Sequence, residues 1–306
     1  MRPWSVWLLK ACFTAALLTW LLSRDAVRQG LTSLASLTPG WLVAGFGMAG
    51  VSHLFAAWRW QVCLRTTGVW LGKGEIFRVT LISAAAGFLS IGTLGADAVR
   101  VALAVRRRPE QKTAILGSIG LDHCSAAPAF GVMALVVLAT AGVQFQAGPW
   151  SALVLLAAVA GFFATGLVLR RFRPALHDRL RGFLWERRTR RGVGMAALLS
   201  VPVMLTHYAV FFCAARALGV VVPPVPFAAA AATADVAASL PVTIAGLGIR
   251  EKAFETLLGL WQGVAAPEAI ALSLAGLGLL LLWALAGAVC FLAEPVAPSA
   301  SQVPSP

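Results

Sequence analysis

The chain has 306 residues, 59% hydrophobic and 12% charged, and a mean hydropathy of +0.82, which excludes a soluble globular domain of this size. A net charge of +13 invites a nucleic-acid partner, but nine of the arginines gather between Arg170 and Arg191, directly after one apolar run and before the next, with no recognisable binding motif. The composition is that of an integral membrane protein that binds no nucleic acid.

Apolar runs lie at about residues 4–23, 41–64, 113–143, 150–169, 193–218 and 267–292. Each approaches or exceeds the ~20 residues a helix needs to cross ~30 Å of hydrocarbon, so the expected fold is all-α with about six transmembrane helices. The first run is too long for a signal core and lacks a convincing small-residue cleavage site, so it counts as a retained span. Short loops rich in Lys and Arg stay cytoplasmic. That places the 170–191 loop inside, together with Arg59, Arg65 and Lys73, with the cluster Arg106, Arg107, Arg108 and Lys112, and with both chain termini. The 170–191 loop is also the expected contact with an anionic lipid surface, because each cation close to such a surface contributes ~1 kcal/mol. Residues 294–306, rich in Pro, Ser and Ala, are expected to be disordered.

Between the first two basic clusters, "IFRVTLISAAAGFLSIGTLGADAVRVALAV" must enter the membrane and return to the side it left. About thirty residues broken by "IGTLGAD" suit a re-entrant hairpin of two half-helices at about 76–105, entered from the cytoplasmic side. A second hairpin is expected at about 227–262, entered from the outer side, with half-helices at 227–240 and 249–262 around a break at 241–248. "IGTLGADAVR" from Ile91 aligns without gaps on "PVTIAGLGIR" from Pro241, and "RTTGV" from Arg65 on "RALGV" from Arg216 at nearly the same spacing. The chain then reads as two repeats, 1–145 and 146–293. Each has three crossings and one hairpin, so the second is inverted, an arrangement that places paired broken helices near the midplane in secondary transporters.

"LPVTIAGLGIRE", Leu240 to Glu251, resembles the late signature of the lysylphosphatidylglycerol synthase transmembrane-region family, often called flippase-like. That pattern is roughly L-P-[IV]-[ST]-I-G-G-L-G-[VI]-R-E, and only Ala245 departs from it. The family's early signature, roughly P-x-x-[IL]-G-[GA]-[DE]-x-[VL]-R, is met by Leu94, Gly95, Ala96, Asp97, Val99 and Arg100, with Ile91 in place of the proline. "LDHC" resembles a further Leu-Asp-Arg element, with His123 where arginine is usual. The resemblance runs from the first span to Leu292. It implies a multi-pass protein of a bacterial-type plasma (inner) membrane that moves lipids or lipid-linked molecules between leaflets; members include the flippase portion of aminoacyl-phosphatidylglycerol synthases and proteins of hopanoid and polyprenyl-linked sugar pathways. The soluble aminoacyl-transfer domain of the synthases has no counterpart after Leu292, so the chain is not expected to be an enzyme.

An Asp, Lys or Arg at a helix centre costs ~2.5–3.5 kcal/mol on insertion, so such residues face a polar cavity or a partner. Arg100 and Arg250 are each expected in the first turn of a returning half-helix, where free N–H groups and the positive dipole end favour a phosphate. The bland alternative pairs Asp97 with Arg100, and Arg250 with Glu251 or Asp235, to pin the hairpins. Both readings are compatible, since a guanidinium has five donors. The expected head-group site comprises Arg100, Arg250, Asp97, Glu251, Thr93, Thr243, Gly95, Gly246 and Gly248, the glycines either opening the hairpin tips or packing helices. Asp97 suits an N-cap or a protonatable group; Asp235 and Asp122 are the proton-coupling candidates.

His53 and His207 fall on apolar spans and read as interhelical hydrogen-bond partners. The five cysteines are scattered without a C-x-x-C pair, so neither disulfides nor a metal site is expected, and no cofactor motif is present. No nucleophile stands beside a base. Two functions remain open: a lipid translocator with a head-group site between the hairpins, and a non-transporting scaffold that delivers lipid to a partner synthase.

Overall fold

A computed structural model describes residues 37–89, 92–144, 186–239 and 246–293, with seven isolated positions between 153 and 171. The expected spans at 4–23 and 150–169, most of the 170–191 loop, Thr243 and the 294–306 tail lie outside the described residues. Within them the chain forms eight long helices: α1 (Pro39–Thr66), α2 (Lys73–Leu89), α3 (Gly92–Arg107), α4 (Lys112–Gln144), α5 (Arg187–Ala217), α6 (Pro224–Ser239), α7 (Ile249–Gln262) and α8 (Ala266–Leu292). A short 3-10 turn, Pro109–Gln111, joins α3 to α4. Proline opens the first turn of α1 and of α8, where its missing N–H has no helical partner to lose.

Helices α1, α5 and α8 are long and apolar enough to cross a membrane. Their positions match the expected runs at 41–64, 193–218 and 267–292, and α4, with 33 residues, covers the run at 113–143. Leu54, Leu135, Leu198, Leu205, Leu282 and Val289 are all more than half exposed, as lipid-facing side chains are. Inside, Trp60, Phe211, Phe227 and Phe254 are fully buried. Phe211 and Phe227 both pack against Phe254 as tilted rings, with centroids 5.6 and 5.9 Å away. Helix α6 is buried through Ala229 to Ala232 and Ala234, small side chains that let neighbours approach its backbone.

The closest packing joins α1 to α5, and the two run antiparallel. Thr38 N–H donates to Ala217 O, Ser52 Oγ to Val203 O, and Arg188 Nη2 to Arg65 O. Both helices end on the same turn. Gly68 N–H donates to Arg65 O and Val69 N–H to Leu64 O, at 3.1 and 2.8 Å; Gly219 N–H donates to Arg216 O and Val220 N–H to Ala215 O, at 3.1 and 2.9 Å. Gly68 and Gly219 both have positive φ, the Schellman ending that "RTTGV" and "RALGV" share. The neighbours also correspond: α2 packs on α3 and α8, as α6 packs on α7 and α4.

The hairpin pairs α2–α3 and α6–α7 have 17, 16, 16 and 14 residues, each shorter than a full crossing. The second follows the sequence expectation closely: α6 stops at Ser239, residues 246–248 form a turn, and α7 begins at Ile249. The first does not. Helix α3 starts at Gly92, so Thr93, Gly95 and Asp97 lie within a helix and not in a seven-residue break. Ile91 stands where the second hairpin has Pro241; a glycine in a helix interior costs only ~1 kcal/mol, whereas proline costs ~3 kcal/mol, so the first segment has no residue that forbids the helix. Asp97 is consequently no cap, and Arg100 lies in the third turn, away from the helix N-terminus. Arg250, in the first turn of α7, lies where expected.

Gly246 and Gly248 have φ of 72° and 84°. A Cβ on Gly246 would come 2.5 Å from Ala238 Cβ and 3.2 Å from Ala238 Cα, so the turn lies directly against the end of α6. Gly246→Ala is expected to destabilise the protein by about 2 kcal/mol, through left-handed strain and overpacking. Thermal unfolding in detergent measures this.

Candidate functional site

Two ionic networks lie between the helices, the first buried at Asp122 and the second partly buried. In the first, Arg59 of α1 grips Asp122 of α4 with both faces of its fork, Nε to Oδ1 at 2.8 Å and Nη2 to Oδ2 at 3.1 Å, while Nη1 donates to Ser200 Oγ of α5 at 3.2 Å. Arg100 of α3 adds Nη1 to Asp122 Oδ2 at 3.1 Å, sits 3.7 Å from Asp97 Oδ1, and lies over the Trp60 ring at 4.9 Å. Asp97 Oδ2 meets His123 Nε2 at 2.7 Å. The early signature and the Leu-Asp-His element, some 25 residues apart, thus close on each other.

In the second network, Asp235 of α6 lies between two basic groups. Its Oδ2 is 3.0 Å from His207 Nε2 of α5 and its Oδ1 is 3.4 Å from Arg250 Nε of α7. The Arg250 guanidinium lies over the Phe211 ring at 5.6 Å. A pattern common to both networks emerges: each hairpin arginine faces an aspartate whose other oxygen holds a histidine, Arg100–Asp97–His123 in one and Arg250–Asp235–His207 in the other. Arg100 Nε and Arg250 Nε are both buried without a hydrogen-bond partner. For Arg250 the 3.4 Å contact is close enough for charge attraction but poorly aligned for an N–H···O bond.

A half-open cavity of about 140 Å³ separates the networks, lined by Arg59, Phe130, Ser200, Met204, His207 and Asp235 and by alanines of α4. It sits at mid-length of α4 and α5, beside the two prolines that lie inside helices, Pro128 and Pro202. Each proline removes an amide donor from the helical ladder beside the cavity.

Among the expected site residues, the structure unites Asp97, Arg100 and Asp122 in one network and Asp235 and Arg250 in the other. The two arginines do not meet at a shared pocket: each is committed to its own carboxylate, and the cavity between them is lined by Arg59 and Asp235. Glu251 is fully buried but serves the turn, accepting from Gly248 N–H at 2.5 Å and from Ser273 Oγ of α8 at 3.1 Å. Its pairing with Arg250 is absent, because Asp235 takes that place. Gly95 lies on α3, Thr93 in the first turn of that helix, and Gly246 and Gly248 form the hairpin tip.

Arg59 corrects the sequence reading, which counted it among the loop cations that set topology. It lies inside α1, seven residues before the helix ends, and its guanidinium is mostly buried. The signal was available, since Arg59 falls within the apolar run 41–64. His207 was expected to have a hydrogen-bond partner, but its partner is a carboxylate on the wall of a cavity, which the sequence did not reveal.

These features define a multi-pass α-helical membrane protein with charged networks enclosed between its helices. The chain belongs to the lysylphosphatidylglycerol synthase TM region family, whose match spans residues 7–292. Membership makes it a membrane protein associated with lipid metabolism. No curated protein matches the chain. Among the described residues, no group of three or more His, Cys, Asp or Glu side chains could hold a metal ion.

Proposed function

We propose that the protein moves a phosphate-bearing lipid or lipid-linked molecule between leaflets, with the head group seated in the cavity between α1, α4, α5 and α6. The observation that carries this reading is the cavity itself: a largely apolar space at helix mid-length that holds a few charged and polar groups, with Arg59 on one wall and the His207–Asp235 pair on the other. Arg59 uses three of its five donors on Asp122 and Ser200, which leaves two for an anion. Arg250 joins from the first turn of α7, where the positive end of the helix dipole adds to its charge.

The antiparallel pairing of α1 with α5, and their identical endings, support two inverted repeats. On that reading the α2–α3 and α6–α7 hairpins are re-entrant from opposite faces, and rocking of one repeat against the other exposes the cavity to each leaflet in turn. The protein acts in a bacterial-type inner membrane with both termini cytoplasmic. The exposed arginines at the start of α5, Arg187, Arg188, Arg190 and Arg191, lie against the anionic lipid surface.

Purified full-length protein in vesicles carrying fluorescent phosphatidylglycerol, or a short-chain polyprenyl phosphate, tests this reading. The wild type is expected to equilibrate the labelled lipid between leaflets, and Arg59→Gln and Arg250→Gln to slow that movement at least tenfold, the ~1.4 kcal/mol or more expected for a lost charged hydrogen bond. Wild-type vesicles that move neither lipid, or variants as fast as the wild type, would refute it.

A further inference from the structure

We propose that the site binds a proton together with the head group, and that His207 is the residue that takes it up. The inference rests on the head-group reading above and adds the co-substrate that drives it.

Charge balance carries the argument. With a neutral imidazole, Asp235 and Arg250 cancel, and His207 completes the chain by donating Nε2–H to Oδ2 at 3.0 Å. A proton on Nδ1 makes the ring an imidazolium. Two cations then face one carboxylate in the low-dielectric interior of the bundle, and an uncompensated charge there is costly. An anion in the adjoining cavity removes that cost. His207 and Asp235 both line this cavity, so the compensating charge arrives within reach of the ring. Proton and phosphate therefore each strengthen the binding of the other, by the reciprocity that any thermodynamic linkage requires.

The geometry of Arg250 supplies the exchange. Its Nε is buried without a hydrogen bond and only 3.4 Å from Asp235 Oδ1. Once an imidazolium holds the carboxylate, the guanidinium turns from Asp235 to the phosphate without leaving a buried carboxylate unpaired. A monoanionic phosphodiester and one proton cross together, so the loaded site carries no net charge and a proton gradient is the energy source.

The groups facing His207 permit this assignment. On α1 they are Arg59 across the cavity and His53, whose buried Nε2 has no hydrogen-bond partner and which lies within electrostatic reach of His207. On α6 and α7 they are Asp235 and Arg250, and on its own helix Tyr208, which is buried. Helix α4 lines this level of the cavity with Ala126, Ala129 and Phe130; its charged residues, Asp122 and His123, are engaged by Arg59, Arg100 and Asp97. The only acidic or basic residue of α8 is Glu268, in its first turn. His123 repeats the histidine–aspartate–arginine order, but its side chain is 53% exposed and it does not line the cavity, which makes it the internal comparison.

Purified full-length protein in weakly buffered detergent, titrated with dihexanoyl phosphatidylglycerol, tests the proposal directly. The wild type is expected to take up protons as it binds, and its Kd to weaken as the pH rises, by up to about tenfold per pH unit for one linked proton. In vesicles, lipid movement should follow a pH gradient and ignore the membrane potential. His207→Gln should flatten the pH dependence of Kd, whereas His123→Gln should keep it. A wild-type Kd constant from pH 6 to 8.5 would overturn the proposal without any variant, and so would a His207→Gln protein that unfolds like the wild type and keeps the slope. A flat Kd beside intact lipid movement removes only the proton; absence of both binding and movement removes the head-group reading as well. Dimethyl phosphate, run in parallel, separates the sources: an equal response to it keeps the linkage and discards the lipid.

Discussion

Asp122→Ala is expected to lower stability by about 3–5 kcal/mol, the cost of leaving buried cations without their counter-charge. Asp122 is held by Arg59 through two hydrogen bonds and by Arg100 through a third, and its side chain is almost fully buried. Removing the carboxylate leaves two guanidiniums facing each other between α1, α3 and α4, and the repulsion adds to the lost bonds. Asp122→Asn should fall between, because the amide keeps one acceptor but none of the charge. The triple replacement Arg59→Met, Arg100→Met, Asp122→Leu is expected to recover most of the loss, since an apolar core of similar volume removes the desolvation penalty along with the attraction. Denaturant or thermal unfolding in detergent would show it. A triple variant as unstable as Asp122→Ala would mean that the network's geometry, not its charge balance, holds these helices.

Gly287→Leu is expected to cost about 3 kcal/mol, the upper end of overpacking penalties. Helix α8 crosses α2 so closely that a Cβ on Gly287 would lie 2.0 Å from Leu81 O and 2.5 Å from Leu81 C. The obstacle is backbone, which cannot rotate aside, so α8 must retreat from α2 and the packing that seats the first hairpin goes with it. Shortening a side chain, as in Leu81→Ala, should give no rescue. Gly278, on the same helix, meets nothing within 4 Å, and Gly278→Ala should leave the unfolding midpoint unchanged or slightly raised. Equal effects at the two glycines would remove the close crossing as the cause.

The contrast between the two hairpins explains how far the sequence could be read. Both segments contain glycines and have a threonine and an arginine at matching positions, and the second was located to within a few residues because Pro241 and the Gly246–Gly248 pair leave the helix few ways to continue. The first offered the same composition without the proline, and α3 runs through its glycines. Propensities of ~1 kcal/mol per glycine lose to the packing of α3 on α2 and α4. Arg59 shows a different limit. A cation near the end of an apolar run serves equally well as a topology signal or a buried partner, and only the neighbour, Asp122 some sixty residues away in the chain, distinguishes the two.

Membrane residence, the long apolar helices at 41–64, 193–218 and 267–292 and the helix break before Ile249 followed from local properties of the chain, apolar run length and residues with restricted or unusual φ, and the family followed from its short signature motifs. Which carboxylate each arginine takes, that His123 and His207 both sit on aspartates, and that the cavity belongs to Arg59 and Asp235 were decided by helix packing alone. The reason is physical. Hydropathy and propensity act within a few turns of one helix, whereas an ion pair in a low-dielectric interior forms with whichever opposite charge the packing brings within about 4 Å, at any distance along the chain.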